Sequence, residues 1–481
     1  MKIEELLDNL KTKVKGITSS TKNLEPDYVF VCIKGMNTDG HNFAEEALKL
    51  GASFIVCEKD LRIPNQIIVD DTRKAYATLC AKWFDHPAKN MKMIAVTGTN
   101  GKTTTTTLIK RVLSQLTGQP VGLIGTIQNE IGEVAFPAKY TTPEPFELNT
   151  VFTQMRQLNC NYVVMEASSH ALDQQRLFGL EFEVSAFTNL THDHLDYHES
   201  MENYFCAKKQ LFEASKKAVI NIDDAYGVSL FKALSKNKRC CSVGMNSDAE
   251  IVAKNAEYSA NKVEFDVEAN GSSAHCVFKM PGKFSVENAL VVIGVVLQLG
   301  FNLAEIVEAI GNCGGVAGRS EVIHCDEDVT VIRDYAHGPD GLLNILRTLK
   351  PFVQGRLVLL FGCAGKRDRT KRKEMGKIAS EYADFVVISS DNPRDENEMQ
   401  IINDAKEGIS GVPCEVFTNR LKAIEFVLTN KKPNDLILLA GKGHEDYQVL
   451  ADCTVYFDEK KIVEEFFKKA KKKKGHLTWK R

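Results

Sequence analysis

Residues 93–116 read MIAVTGTNGKTTTTTLIKRVLSQL, and this stretch constrains the fold more than any other part of the chain. An apolar run is followed by a turn with two glycines and then by a helical pattern, the opening of an α/β unit. Glycines at 98 and 101 let backbone N–H groups approach phosphate oxygens, and the helix N-terminus adds positive partial charge. In that geometry Gly98, Thr99, Asn100, Gly101, Lys102, Thr103 and Thr104 form a nucleotide loop. Lys102 would reach the β- and γ-phosphates, and the Thr103 hydroxyl would face Mg²⁺. The common pattern has a glycine five positions before Gly101; Val96 stands there, so this loop is a shortened variant. The five threonines at 103–107 are poor helix formers, because β-branched side chains lose rotamer freedom. A ligand at the helix start would explain tolerating them; a plain structural turn is the competing reading.

The chain has 481 residues, room for two to four domains of ~100–200 residues each. Sixty-one Lys and Arg against 63 Asp and Glu leave a net charge of −2, which excludes a nucleic-acid binder driven by bulk positive charge. No apolar run approaches the ~20 residues that span a bilayer. The N-terminal MKIEELLDNLKTKVKG is acidic and amphipathic, a first helix and not a signal peptide. The 13 cysteines are scattered without a CxxC pair. They read as reduced thiols of a cytosolic protein, not as a disulfide scaffold or a zinc site.

Three segments are expected. Residues 1–90 alternate β-rich runs (YVFVCIKG, SFIVCEKD) with helical ones (NFAEEALKLGA), closed at His86-Pro87. Residues 91–316 carry the nucleotide loop, further apolar runs, a β-rich stretch at 251–267 and an Ala/Val-rich helix at 288–299. The Gly-rich stretch 311–321 is the linker candidate. Residues 317–481 alternate strands (VTVIRDYA, RLVLLFGC, DFVVISS, DLILLAG) with helices, which predicts a second doubly wound α/β domain. The lysine run in the tail KKAKKKKGHLTWKR reads as a solvated helix end.

Nine short motifs occur in one order: GTNGKTT (98–104), TTPE (141–144), MEASSHALDQQR (165–176), FTNLTHDHLDYH (187–198), YFCAKKQLF (204–212), ENAL (287–290), DYAHGPDGL (334–342), DNPR (391–394) and GKGHEDYQ (441–448). Together they closely resemble the Mur ligases over essentially the whole chain. The resemblance implies a three-domain α/β enzyme: a UDP-binding N-terminal domain, a central phosphate-loop ATPase domain and a C-terminal Rossmann-like domain for an amino acid. It implies a cytoplasmic monomer that uses ATP and two Mg²⁺ ions to form an amide through an acyl phosphate. The substrates would be UDP-N-acetylmuramoyl-L-alanyl-D-glutamate and meso-diaminopimelate, in peptidoglycan synthesis.

The resemblance also implies roles. Read alone, Glu166 after an apolar strand is either a metal-coupled acid or a helix-capping acid, and His192, His194 and His198 are polar loop histidines. The match makes Glu166 and His194 Mg²⁺ ligands. Lys208 matches a lysine that CO₂ converts to a carbamate; the anionic carbamate suits Mg²⁺, which prefers oxygen ligands, while a bare ammonium would repel the ion. Lys209 is the neighbouring register, and a solvated surface lysine is the alternative. Asn288, Arg319 and Asp334 match nucleotide contacts, the last two closing from the third domain. Thr141, Thr142, Ser168, Gln174 and Arg176 match residues that hold the muramoyl-dipeptide. Ser19, Thr21, Met36, Asn37 and Thr38 align with the UDP pocket, although Ser20-Thr21-Lys22 replaces the usual Asp-Ser-Arg.

The amino acid is read from DNPR, Asp391, Asn392, Pro393 and Arg394, the form of the diaminopimelate-adding members. Arg394 would pair with the second carboxylate, which L-lysine lacks, and Asp391 and Glu445 would face the ammonium. Arg367 and Gly441 align with further contacts. An ordinary Asn-Pro turn is the alternative for the tetrapeptide alone. Departures from the family are Lys366 beside Arg367, Ala317 before Gly318-Arg319, and Gly338 after DYAH. Competing functions are the same reaction with L-lysine, a folyl-polyglutamate-type ligase, and a binding relative that has lost ligation.

Overall fold

The five threonines that argue against a helix lie inside one. Helix Lys102–Thr117 follows strand Lys92–Thr97 across the loop, and Thr103 to Thr107 are all buried. Tertiary packing overrides intrinsic propensity here. Thr106 donates its hydroxyl to the carbonyls of Lys102 (3.0 Å) and Thr103 (3.2 Å), and Thr105 donates to the Asn288 side chain (3.3 Å). The computed structural model describes residues 2–36, 38–236, 239–245 and 248–478, with side chains to residue 469.

The chain divides into two compact units. One comprises Met1–Ala253, Val267–Ala274 and Glu287–Ala309; the other comprises Lys254–Asp266, His275–Val286 and Ile310–Arg481. The first unit begins with a parallel four-stranded sheet, Gly16–Thr18, Tyr28–Val31, Phe54–Cys57 and Gln66–Ile68, paired in chain order. The N-terminal amphipathic stretch is two short helices, Ile3–Asp8 and Leu10–Lys13, and not one. Asn9 breaks it (φ −118°, ψ 20°), yet Leu6 and Leu10 both reach the core with Val29, Val56 and Leu79.

The larger sheet of this unit has strand Lys92–Thr97 at its centre. Tyr162–Glu166 and then Val121–Ile124 lie in parallel on one side, followed by the antiparallel Gln128–Ile131 and Val134–Pro137. Phe182–Phe187, Ser215–Asn221 and Arg239–Gly244 lie in parallel on the other side. Both faces are covered, so the central strands are continuous apolar runs: Met93, Ile94, Ala95 and Val96 are all buried. The parallel arrangement gathers Gly98, Thr126, Ala167 and Thr188 just beyond the carboxyl ends of four adjacent strands, where ligands bind in open α/β sheets. The β-rich stretch at 251–267 is two strands, Ile251–Tyr258 and Val263–Ala269, around a turn in which Lys262 donates its N–H to the Ser259 hydroxyl at 3.2 Å. The Ala/Val-rich helix runs Lys283–Gln298 and starts before Asn288, because Ser285 bonds the Gly282 and Pro281 carbonyls and extends the first turn.

The second unit is a six-stranded sheet in the order Glu321–Cys325, Val329–Asp334, Asp435–Ala440, Leu357–Phe361, Phe385–Ser389, Cys414–Phe417. Only the first pair is antiparallel. The last strand in sequence therefore inserts between the first two parallel ones. Asp334, Gly362, Asp391 and Gly441 all fall at or beyond carboxyl ends, on one edge of the sheet. The Gly-rich stretch is irregular from Cys313 until strand Glu321–Cys325. The final helix Glu459–Thr478 is anchored at its start by Glu459, which accepts a 2.7 Å bond from the buried Arg420. The lysines beyond residue 469 lie outside the described side chains. Among the described residues no helix is long and apolar enough to cross a membrane.

Candidate active site

The nucleotide loop turns on two glycines in left-handed conformations, Gly98 (φ 152°) and Gly101 (φ 83°). A Cβ at Gly98 would collide with the Thr188 hydroxyl, and one at Gly101 with the Asn288 amide oxygen. No other residue fits either place. Lys102 folds back over the loop and donates to the carbonyls of Gly98 (2.9 Å) and Thr99 (2.8 Å). The loop is braced from the next strand end. Asn189 accepts from the N–H groups of Thr99 and Asn100 at 2.9 Å, and Thr188 donates to the Asn100 carbonyl at 2.6 Å. Thr188 and Asn189 lie inside the FTNLTHDHLDYH motif but received no role from the sequence.

Glu166, the last residue of its strand, is fully buried. Its carboxylate accepts from the hydroxyls of Thr103 and Thr126 (both 3.1 Å) and from the Thr126 N–H (2.8 Å). It does not cap the following helix. Ser168 does that, accepting from the Ala171 N–H at 3.3 Å. Thr103 and Glu166 are thus an oxygen pair at the mouth of the phosphate loop. Asn288, from the Lys283–Gln298 helix, packs against Gly101.

Helix Met201–Glu213 places the two neighbouring lysines differently. Lys208 is buried and faces the loop, whereas Lys209 is half-buried. The Lys208 amine donates to the Gly98 carbonyl at 2.7 Å and sits 4.6 Å from the centre of the Tyr204 ring. Burial, and then the nearby Lys102 charge, hold its pKa well below that of an ordinary lysine, with Asp193 opposing. Tyr204 also reaches the Thr99 hydroxyl (3.1 Å) and stacks on His198 (5.0 Å). His194 takes a left-handed backbone (φ 54°) and packs edge-on to His170 at 5.0 Å. Burial lowers its pKa, with Lys102 and Lys208 adding to the fall and Asp193 opposing, which favours a neutral imidazole. His170 is pushed down to about 4 by burial, then by His194 and His198. Among the described residues no cluster of three or more His, Cys, Asp or Glu could hold a metal ion.

A second constellation adjoins Glu166. Thr142 donates to the Glu166 carbonyl (2.8 Å) and accepts from the Ser168 N–H (3.1 Å), while Thr141 and Thr126 hydroxyls meet at 3.0 Å. Arg176 donates to the Thr142 carbonyl (2.9 Å) and the Gln174 amide oxygen (2.8 Å), and pairs with Glu144 (2.8 Å). Near the N-terminus, Ser19 bonds the buried Tyr76 hydroxyl and Thr21 opens the turn Thr21–Asn23. Met36 is 74% exposed at the tip of the loop closed by the Lys34–Asp39 bridge, and Thr38 accepts from the Gly35 N–H. Asn37 lies outside the described residues.

In the second unit, Asp334 accepts from the N–H groups of Ser320 (2.7 Å) and Ala336 (2.8 Å); burial raises its pKa, against Arg319 and these bonds. The Arg319 guanidinium lies 5.0 Å over the Tyr335 ring. The DNPR loop is locked in place. Gly365 donates to the Asn392 carbonyl (3.0 Å) and accepts from the Arg394 guanidinium (2.7 Å), and a Cβ on Gly365 would collide with the Pro393 carbonyl. Asn392 donates to Glu445 at 2.9 Å. Gly441 turns at φ 113° beside Asp391. Asp391 and Glu445, expected to face a ligand ammonium, already share one from the chain itself, Lys442, to which its motif alone gives no role. Arg367 is exposed, and Lys366 pairs with Asp395 at 3.3 Å.

A phosphate loop, a hydroxyl–carboxylate pair and a buried amine at the ends of parallel strands define a phosphate-loop α/β enzyme. Family models sharpen this: the Mur ligase catalytic domain matches residues 13–94, the Mur ligase middle domain 96–296, and the Mur ligase glutamate ligase domain 318–443. The chain belongs to the Mur ligase family and is a three-domain α/β ligase. It is 41% identical over 473 residues to UDP-N-acetylmuramoyl-L-alanyl-D-glutamate–2,6-diaminopimelate ligase 1 of Clostridium acetobutylicum, covering 97% of this chain and 98% of that one. It is 42% identical over 466 residues to the ligase of the same description from Clostridium botulinum, covering 95% and 96%. A solved UDP-N-acetylmuramoyl-L-alanyl-D-glutamate–2,6-diaminopimelate ligase superposes with a TM-score of 0.71 at 33% identity, covering 94% of each chain.

Proposed function

We propose that this protein joins meso-diaminopimelate to UDP-N-acetylmuramoyl-L-alanyl-D-glutamate, converting ATP to ADP and phosphate, as a step of peptidoglycan precursor synthesis in the cytoplasm. The full-length relatives named for that reaction support it, and one observation carries it at the level of chemistry: Lys208. A buried amine with a depressed pKa, bonded to a carbonyl and set beside Lys102, is the form that adds CO₂. The amine nitrogen attacks CO₂, a proton leaves, and an anionic carbamate remains.

The residues fit a magnesium site only in that form. Thr103, Glu166 and His194 offer one hydroxyl, one carboxylate and one imidazole, and a carbamate on Lys208 would complete an oxygen-rich set of the kind Mg²⁺ accepts. When bound there, Mg²⁺ would neutralise the charge that builds on the transferred phosphoryl group. The loop N–H groups and Lys102 hold the phosphates in line with the substrate carboxylate. That carboxylate attacks the γ-phosphorus, giving an acyl phosphate and ADP. The incoming amino group then attacks the acyl carbon and phosphate leaves. Arg176, with Thr142, Ser168 and Gln174, orients the muramoyl-dipeptide, and Ser19, Thr21, Met36 and Thr38 receive its nucleotide end. Asp391, Asn392, Arg394 and Glu445 read the amino acid, Arg394 taking the carboxylate that L-lysine lacks.

The test is a phosphate-release assay with purified protein, ATP, Mg²⁺ and UDP-muramoyl-dipeptide. Release should be fast with meso-diaminopimelate and much slower with L-lysine. The opposite preference would replace the proposed amino acid, and no release with either would remove the reaction.

A further inference from the structure

Lys442 follows strand Asp435–Ala440, and its side chain is wholly buried. A buried ammonium is costly unless it is paired and hydrogen-bonded. This one donates to Asp391 Oδ1 (3.1 Å), Asn392 Oδ1 (3.1 Å) and Glu445 Oε2 (3.4 Å). Asn392 closes the ring by donating to the same Glu445 oxygen, and its own oxygen also accepts from the Val449 N–H at 3.0 Å. These three hydrogen-bond partners of Lys442 are all residues that read the amino acid. The Tyr447 ring lies 5.9 Å from the ammonium, and burial, then Glu445, Asp446 and Asp391, raise its phenol pKa while Arg394 opposes, so these charges surround one ring.

Asp446 is exposed and screened by solvent, and the four remaining charges cancel: Asp391 and Glu445 against Lys442 and Arg394. An electroneutral group suits a ligand end that is itself zwitterionic. Without Lys442 the group carries one net negative charge and suits a bare ammonium. We infer that Lys442 is the specificity-determining positioning residue of the amino-acid pocket, fixing Asp391, Asn392 and Glu445 and balancing their charge so that an ammonium–carboxylate end is preferred over an ammonium alone. The inference rests on the proposed ligase reaction.

The test compares kcat/KM for meso-diaminopimelate and L-lysine in full-length variants whose folding is checked by thermal melting. Lys442→Met should cost about tenfold or more with meso-diaminopimelate, through KM, and lower the preference over L-lysine about fivefold or more. KM for ATP should not move. Glu445→Gln should shift the preference the other way, since an excess positive charge repels lysine more than a zwitterion. The double variant, neutral again, should return the ratio to within about twofold of wild type. Equal losses with both amino acids and an unchanged ratio would reduce Lys442 to a structural prop and overturn the inference. If Lys442→Met does not fold, Glu445→Gln decides alone: a raised ratio supports the charge balance, and an unchanged or lowered one overturns it. A wild-type preference for L-lysine would overturn this inference and the diaminopimelate reading together. A wild-type preference for meso-diaminopimelate with unmoved ratios would overturn this inference only.

Discussion

The Lys208 amine donates to the Gly98 carbonyl at 2.7 Å, joining the helix Met201–Glu213 to the first residue of the phosphate loop. A protonated lysine in this place would add positive charge beside Lys102, which burial and the Lys102 charge oppose more than Asp193 favours. A carbamate would reverse the sign at the same position. Lys208→Ala should lower phosphate release about a hundredfold or more, in line with losing one preorganised charge-stabilising group. Formate or acetate should restore part of it by occupying the vacated space. Lys208→Arg, which cannot add CO₂, should be equally slow and not be rescued. Full activity in either variant would refute the carbamate.

Glu166 accepts the Thr103 hydroxyl at 3.1 Å from across the loop. Glu166→Gln keeps the shape and, through its amide oxygen, the bond from the Thr126 N–H, but removes the charge. It should leave the melting temperature within a few degrees of wild type and slow the phosphoryl step about 10²–10³-fold. Its apparent affinity for Mg²⁺, read from the metal dependence of the rate, should weaken. An unchanged metal dependence would take Glu166 out of the metal site.

Gly101 allows no side chain, because of both its φ of 83° and the Asn288 oxygen against it. Gly101→Ala should destabilise the fold by about 1–3 kcal/mol and weaken ATP binding measured by calorimetry. A variant that binds ATP normally would show that the loop can move away from Asn288.

Arg394 is held by the Gly365 carbonyl at 2.7 Å, which aims its guanidinium. Arg394→Lys retains charge but not the planar fork. It should cut kcat/KM for meso-diaminopimelate about tenfold to a hundredfold, while L-lysine changes by much less. Equal losses with both would separate Arg394 from carboxylate recognition.

Glu396 is held at a pKa of about 2, against an ordinary 4.5, first by the two parallel bonds from Arg372 (2.9 Å each) and then by the Lys366 N–H. A depressed carboxylate contributes stability above its unfolded pKa and loses it as pH falls through the folded one. Wild-type melting temperature should therefore drop between about pH 4.5 and about pH 2. Arg372→Met leaves Glu396 with the Arg369 guanidinium (2.7 Å) and the Lys366 N–H but removes its bidentate partner and the Asp404 contact, and should cost about 1.5–3 kcal/mol near neutrality. The gap to wild type should narrow in acid. A constant gap would show that Glu396 does not carry the acid slope.

Some of this molecule was legible from its residues because the determinants are local. An apolar strand, two glycines and a helix start are contiguous, so the phosphate loop could be read at 98–104, and DNPR could be read as a loop. The motif points to Lys208 with Lys209 as the neighbouring register, and the helix face agrees with that choice, since Lys208 buries its amine against Gly98 while Lys209 is half-buried. Glu166 as a capping acid was an equally fair local reading, and it fails because Thr126, forty residues away, supplies the donors. The threonine helix defied propensity for the same kind of reason, the Thr103, Thr105 and Thr106 hydroxyls being satisfied by Glu166, Asn288 and the helix's own carbonyls.

Lys442 marks the boundary most clearly. In sequence it is a lysine between two glycines, and a lysine is ordinarily solvated. Strand Asp435–Ala440 inserts between Val329–Asp334 and Leu357–Phe361, which sets Lys442 against Asp391 and Asn392, about fifty residues earlier in the chain. The sequence by itself determined the class of chemistry, through residue types at fixed local spacings. Only the tertiary structure decided which charges are buried and with whom they pair. Strand order across a parallel sheet is set by the packing of the whole unit, and the free energy of a buried charge depends on partners that no local window contains.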